Sequence, residues 1–199
     1  MIEVEIKARV KDPNLLRKMF EENEGVYKLS LEHEDIYYNM PEGLRNFKQT
    51  DEALRLRKSI EFERDNIAKN PKNNYFITYK GKKIDSTTKT REEIEVKISE
   101  IEDMKKLLKF LGFREVFTVI KKRELYEFIF NDKKIVALID YIPMLEQHFI
   151  EVELITKSLE NVEKCREILF QFLNKFRISR EESIRKSYLE LMSDNIKGI

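Results

Sequence analysis

Two acidic pairs with the same spacing stand far apart in this 199-residue chain: Glu3-x-Glu5, followed by Lys7, and Glu151-x-Glu153. Residues two apart on a β-strand point to the same face. Each pair therefore sets two carboxylates side by side, a donor set that suits hard cations such as Mg²⁺ or Mn²⁺. Basic pairs recur with the same period. Arg55 and Arg57 alternate with leucines in ALRLRK, Lys80 shares a face with Thr78, and Lys121 and Arg123 are two apart in VIKKRE. One segment mixes both signs, Arg91-x-Glu93-x-Glu95, and Asp140 closes the otherwise apolar KIVALID. Arginine and lysine are the side chains for phosphate oxygens, arginine in two-pronged fashion. Seven acids (Glu3, Glu5, Glu93, Glu95, Asp140, Glu151, Glu153) thus face seven bases (Lys7, Arg55, Arg57, Lys80, Arg91, Lys121, Arg123). A metal ion bridging carboxylates to a phosphate chain, with bases on the remaining oxygens, fits that inventory. The sequence has no Gly-rich phosphate loop, so side chains must do the holding.

A charged strand face is ordinarily the wet side of an antiparallel sheet, and any one of these segments fits that plain reading. Taken together they do not. An ordinary wet face mixes Thr, Ser, Gln and Lys, whereas these are runs of like-signed pairs. The helical segments also carry more apolar surface than they can bury among themselves, so they should cover the greasy side of the sheet. The charged sides then point into a shared lumen, which is costly unless the charges are compensated.

The elements that must position these residues follow from periodicity. Strands are expected at Ile2–Arg9, Asp35–Asn39, Ala53–Ser59, Tyr75–Gly81, Arg91–Ile98, Val116–Phe130, Lys134–Ile142 and Phe149–Thr156. A helix starts at Asp12–Pro13 and closes near Gly25. A second carries Ile101, Met104, Leu107, Leu108 and Leu111, with Gly112 ending it. A third spans Leu159–Phe176, and a fourth runs from about Glu181 to Met192. Pro41–Glu52 and Phe62–Asn74 read as long loops beside a site. Eight strands joined mostly by short hairpins can close into a barrel, giving an α+β fold: a closed eight-stranded antiparallel β-barrel with flanking helices, one domain over 1–199.

Bulk properties bound the function. Charged residues make up 38% of the chain, yet the net charge is +1, which supplies no basic field for nucleic acid. A single cysteine, Cys165, excludes an intrachain disulfide, and two histidines are too few for a zinc cluster. No apolar run approaches the length of a membrane span. The expectation is a cytoplasmic protein without a membrane partner. Cys165 is expected in a helix core, and His33 and His148 at the surface or an edge.

In order along the chain, these segments resemble the CYTH superfamily, the triphosphate tunnel metalloenzymes, which includes class IV adenylyl cyclases, thiamine triphosphatases and inorganic triphosphatases. The resemblance rests on Glu3-x-Glu5-x-Lys7, Arg55-x-Arg57 within TDEALRLRK, the Tyr79-Lys80-Gly81 strand, Arg91-x-Glu93-x-Glu95, Lys121-x-Arg123, Asp140 and Glu151-x-Glu153. DIYYN at Asp35–Asn39 and KSYLELM at Lys186–Met192 extend it. The pattern looks most like the archaeal-type class IV adenylyl cyclase branch. It departs at Glu146–Gln147, where the family usually has a glycine, and at Asn46, where an Arg-Asp-Phe segment is common.

The resemblance implies a triphosphate (ATP, thiamine triphosphate or tripolyphosphate) bound in the tunnel with Mg²⁺ or Mn²⁺. Lys7, Arg55, Arg57, Lys80, Arg91, Lys121 and Arg123 would grip the phosphates. Glu3, Glu5, Glu151 and Glu153 would bind metal, with Glu93, Glu95 and Asp140 sharing that role. Lys7, Arg57 and Glu5 are the expected catalytic residues. Attack of a ribose 3′-hydroxyl on the α-phosphorus would give cyclic AMP and pyrophosphate; attack of water on the γ-phosphorus would make a triphosphatase. A non-catalytic binder of polyphosphate or RNA 5′ ends would keep the bases without needing the metal carboxylates. Tyr37, Tyr38 and Tyr79 are candidates to stack on a base, Lys186 could reach the tunnel mouth, and a one-residue slip would substitute Lys122 for Lys121. These patterns leave the oligomeric state open, a dimer included.

Overall fold

The computed structural model describes residues 2–63, 71–85 and 88–197. Eight strands among them form one closed antiparallel barrel: β1 (Ile2–Val10), β2 (Val26–Asn39), β3 (Ala53–Phe62), β4 (Lys72–Lys80), β5 (Arg91–Ile98), β6 (Arg114–Phe130), β7 (Lys133–Ile142) and β8 (Gln147–Thr156). The order around the wall is β1-β5-β4-β3-β2-β6-β7-β8, and β8 pairs with β1 to close it. The helices are α1 (Pro13–Glu22), the one-turn α2 (Phe47–Thr50), α3 (Ile101–Phe110), α4 (Val162–Lys175) and α5 (Tyr188–Lys197).

The apolar backs of the strands lie beneath the helices, and this turns the charged faces inward. Val4, Ile6 and Ala8 of β1, with Ile150 and Val152 of β8, are sealed under α1 and α4 through Leu16, Phe20, Leu169, Phe172 and Leu173. A second cluster places Ile101 and Leu108 of α3 on Ile36 and Leu56. With those sides capped, Glu5 and Lys7 have only the lumen to face. α1 starts where Asp12 accepts hydrogen bonds from the Asn14 and Leu15 amides, both at 3.0 Å, with Pro13 at its first position. After α1 the chain passes so close to Phe128 that a Cβ on Gly25 would lie 2.5 Å from that ring. Gly112 follows α3 at φ +82°, the left-handed stop expected there.

The wall is fastened unevenly. β1 meets β5 only at Ile2–Glu92 and Glu3–Arg91, whereas β1 and β8 pair from Ile2–Thr156 to Val10–His148. Beyond that short seam, loops satisfy the free edge of β1: the Lys89 amide donates to the Glu5 carbonyl at 3.1 Å and the Ile184 amide to the Lys7 carbonyl at 2.7 Å.

Several expected boundaries shift. β2 begins at Val26 rather than Asp35, and α2 sits inside the expected loop Pro41–Glu52. Of the expected loop Phe62–Asn74, residues 72–74 belong to β4, while 64–70 lie outside the described residues. The fourth helix starts at Tyr188, because Ser187 and Glu190 form a reciprocal cap (Ser187 amide to Glu190 Oε2, 2.7 Å; Glu190 amide to Ser187 Oγ, 3.2 Å). Glu146, where the family favours glycine, takes φ +48°, a conformation that costs an L-residue roughly 1–2 kcal/mol. Among the described residues, no helix is long and apolar enough to cross a membrane.

Candidate active site in the barrel lumen

One cavity of about 930 Å³ runs through the barrel. Its lining includes twelve of the fourteen charged residues singled out above: Glu3, Glu5, Arg55, Arg57, Lys80, Arg91, Glu93, Glu95, Lys121, Arg123, Glu151 and Glu153. The register settles the slip at β6. Lys121 stands opposite His33 on the inward face, while Lys122 pairs with Glu32 and Tyr141 on the outer one.

The basic side is built on two buried aspartates. Asp35 accepts from Arg57 through Nε at 2.6 Å and Nη2 at 2.7 Å, and Arg55 Nη1 approaches within 3.7 Å. Burial pushes the Asp35 carboxyl up, but Arg57 and Arg55 outweigh it and hold the group well below the usual range. Arg55 is steadied further by Thr78 Oγ1 at 3.0 Å and Glu95 at 3.1 Å. Asp140 plays the same part for Arg123, with two bonds of 2.6 Å, and also accepts from the Tyr188 hydroxyl at 2.8 Å. Two-pronged pairs of this kind fix the guanidinium planes before any ligand arrives.

Asp140 and Lys7 therefore depart from their expected roles. Neither lines the cavity, and both are wholly buried. Asp140 is taken up by Arg123 and Tyr188, which makes it an anchor for a cavity-lining arginine rather than a free metal donor. Lys7 stands one layer back, its Nζ 3.9 Å from the Tyr188 ring centroid and 4.0 Å from Glu151. Burial, then repulsion from Lys89, lowers its pKa well below the usual lysine range. Glu93 and Glu95 sit on β5, beside β1, in ion pairs with Lys80 and Arg55. Glu151 is held on both oxygens, by Lys89 at 2.8 Å and by Arg123.

The remaining acids converge. Glu3, Glu5 and Glu153 each offer an oxygen within 4.8 Å of the others. β-pairing causes this: Glu5 lies directly opposite Glu153 across the β1–β8 ladder, and Glu3 is next on the same face. Among the described residues, neither Glu3 nor Glu153 stands in an ion pair. Burial and neighbouring carboxylates raise all three: Glu3 through burial and Glu93, Glu153 well above its usual value through burial and Glu3, and Glu5 to about 7 through burial and Glu151. Three converging oxygen donors, with only Glu5 partly neutralised by Lys89, fit a hard divalent cation.

Three functional positions escaped the spacing argument. Asp35 lies in DIYYN, which shows no charged pair, although it alternates inward with His33 and Tyr37. Lys89 keeps the inward parity of Arg91, Glu93 and Glu95 just outside the strand. Tyr188 carries no strand signal at all; it leads α5 into the lumen, where it packs on Phe149. His33, expected at the surface, is buried and inward, and burial beside Arg57 drives its pKa far down. Cys165 is buried in the α4 core as expected, and Lys186 does reach the cavity rim.

Lys121 yields a pH prediction. Burial and the neighbouring Arg123 lower its pKa to about 8. A phosphate ligand needs the ammonium form, so tripolyphosphate affinity is expected to fall as pH rises through 8, towards tenfold per unit. Calorimetric titration between pH 7 and 9.5 checks this. Lys121→Arg should flatten the profile, and a flat wild-type profile would rule the assignment out.

Comparison with known proteins agrees with this geometry. The CYTH domain family matches residues 1–188. A Methanocaldococcus jannaschii protein named "Putative adenylate cyclase" is 39% identical over 191 residues, covering 96% of this chain and 98% of its own. A solved Pyrococcus horikoshii structure superposes with a TM-score of 0.83 at 35% identity, covering 97% of this chain and 99% of that one. A Hippeastrum protein, described as an adenylyl cyclase candidate that reveals a dominant triphosphatase activity, shares the fold at 16% identity and TM-score 0.60 over 97% and 96% of the two chains. With a charged barrel lumen and a match across nearly its whole length, the chain belongs to the CYTH domain family.

Proposed function

We propose that this chain is a divalent-metal-dependent enzyme acting on a triphosphate, and that its reaction converts ATP to cyclic AMP and pyrophosphate. The observation that carries the reading is the division of one lumen into a converging carboxylate group (Glu3, Glu5, Glu153) and a preset arginine–lysine grip (Arg55, Arg57, Lys121, Arg123). The 39% identity to the Methanocaldococcus protein supports the cyclase form. Tyr38, Asn39, Asn46 and Phe47 line the same cavity and supply flat and amide groups for a base.

Bound Mg²⁺ or Mn²⁺ would neutralise phosphate charge and polarise a phosphoryl oxygen. Arg57 and Arg55, fixed by Asp35, hold the non-bridging oxygens and orient the chain. Arg123 and Lys121 do so from β6, on the other side of β2, and Lys80 and Arg91 add to the grip from β4 and β5. Preset charge of this kind favours a transition state with charge spread over phosphoryl oxygens. Glu5 serves by holding the cation. Lys7 enters at one remove, from behind the Tyr188 ring. We propose that residues 1–199 act as one catalytic unit in a reducing compartment.

Hydrolysis at the γ-phosphorus is the second reading, favoured by the reported behaviour of the Hippeastrum protein. One assay separates them: incubate with ATP, tripolyphosphate or thiamine triphosphate plus Mg²⁺ or Mn²⁺, and resolve cyclic AMP, pyrophosphate and orthophosphate. Cyclic AMP with pyrophosphate is the expected result. Orthophosphate alone would assign a triphosphatase. Tight binding without turnover of any triphosphate would sink the enzyme reading.

A further inference from the structure

The acidic end of the lumen contains four carboxylates, yet its arrangement is not that of a two-ion centre. Lys89 lies between the acids with its side chain largely shielded from solvent. Its ammonium donates to Glu5 and, at 2.8 Å, to Glu151. Arg123 takes the other oxygen of Glu151. Glu151 therefore has both oxygens committed to fixed cations, and Glu5 is shared between Lys89 and the Glu3–Glu153 group.

This lysine is placed by design of the loop around it. Its amide is bonded to the Glu5 carbonyl at 3.1 Å, so its backbone is tied to the same strand residue that its side chain neutralises. The residues on either side are braced. Thr88 and Thr90 share a hydroxyl bond of 2.6 Å, the Thr88 amide donates to Asp85 at 2.8 Å, and Arg166 of α4 secures Asp85 at 2.7 Å.

Building on the metal reading above, we propose that Lys89 limits this centre to one divalent ion, its ammonium standing where a second ion would need Glu5 and Glu151. Paired ions in phosphoryl-transfer sites sit about 3.5–4 Å apart on bridging carboxylates. Here the carboxylates that could bridge are already neutralised by an ammonium and a guanidinium. A second dication would have to enter beside a fixed positive charge in a poorly solvated pocket, where repulsion is strong. Lys89 is thus a positioning residue: it leaves Glu3, Glu5 and Glu153 as the single ion-holding group and keeps Glu151 turned to Arg123.

The test counts ions on the full chain without nucleotide. Mn²⁺ binding, followed by the loss of its free paramagnetic resonance signal, should saturate at one ion per chain for the wild type. Lys89→Met should admit a second, and Lys89→Arg, which keeps the charge, should stay at one. Glu153→Gln should lose the first site. Two ions in the wild type, or one in a Lys89→Met chain whose circular dichroism matches the wild type, would overturn the proposal; where Lys89→Met does not fold, Lys89→Gln takes its place under the same criterion. A wild type that binds none would overturn it by removing the metal reading itself, which unaltered Mn²⁺ binding by Glu153→Gln would instead confine to the ligand assignment.

Discussion

Glu153→Gln is expected to lower metal-dependent turnover roughly a hundredfold or more, a first-order loss for a direct metal donor, and at the same time to stabilise the metal-free protein at pH 8. The two effects share a cause. Glu3, Glu5 and Glu153 are forced together by the β1–β8 register, and without a cation they repel one another in a buried setting. An acid whose folded pKa is raised contributes most below its unfolded value, and that contribution is lost as pH rises through the folded value. Glu153 is raised well above its usual 4.5 by burial and by Glu3, so the penalty that its replacement removes grows as pH rises past that value. Lys7, lowered well below the usual lysine range, acts with the opposite sign, but it is common to both proteins and cancels in their difference.

In chelator-treated samples, the variant should therefore match the wild type below pH 4.5 and melt a few degrees higher at pH 8, at the 2–4 °C per kcal/mol usual for a chain of this size. Mg²⁺ should raise the wild-type melting temperature and leave the variant unmoved. Scanning calorimetry with and without chelator gives the answer. A variant that melts lower than the wild type at pH 8 and still responds to Mg²⁺ would remove Glu153 from the metal group.

Asp35→Ala should have the largest effect on stability. The carboxylate is almost completely buried and accepts two bonds from Arg57 with Arg55 alongside. Removing one partner of a buried ionic group leaves uncompensated charge and costs about 3–5 kcal/mol. That corresponds to a fall of about 10 °C in Tm. The arginines also lose the anchor that orients them, so KM for the triphosphate should rise. Tripolyphosphate should then stabilise the variant by fewer degrees than it stabilises the wild type at the same concentration, because weaker binding gives a smaller shift. An unchanged Tm, or a ligand shift as large as that of the wild type, would contradict the anchoring role.

The inward faces of the barrel were readable because strand alternation is local and the charged pairs violate an ordinary wet surface. Glu3, Glu5 and Glu153, together with Arg55, Arg57, Lys121 and Arg123, could all be picked out this way. What that pattern does not encode is which charge neutralises which. Asp140 and Glu151 have the right type and parity for metal, but their neighbours across the ladders, Arg123 among them, take them first. The first half of β2 was hidden for a different reason. Leu29 and Leu31 share its lumen-facing alternation with His33 and Asp35, Glu32 and Glu34 point outward, and a register shift at Tyr27/Leu29 breaks the period. At the start of β4, Asn73 and Asn74 are poor strand formers. They are recruited by pairing with Ile60 and Ser59 and by the Asn74 bond to Glu61 at 2.7 Å. Lys89 and Tyr188 were beyond any strand pattern, since loops and a helix cap deliver them.

The narrow join between β1 and β5 has a mechanical meaning. A cylinder clasped over so little of its height behaves as a cuff with one small buckle, able to slacken there while its remaining ladders stay laced. The buckle is also made from the contents' own neighbours: Glu3 and Arg91 form one of its two pairs, and both line the lumen. Cargo gripped by those side chains therefore pulls directly on the clasp, so how firmly the cuff is fastened depends on what it holds.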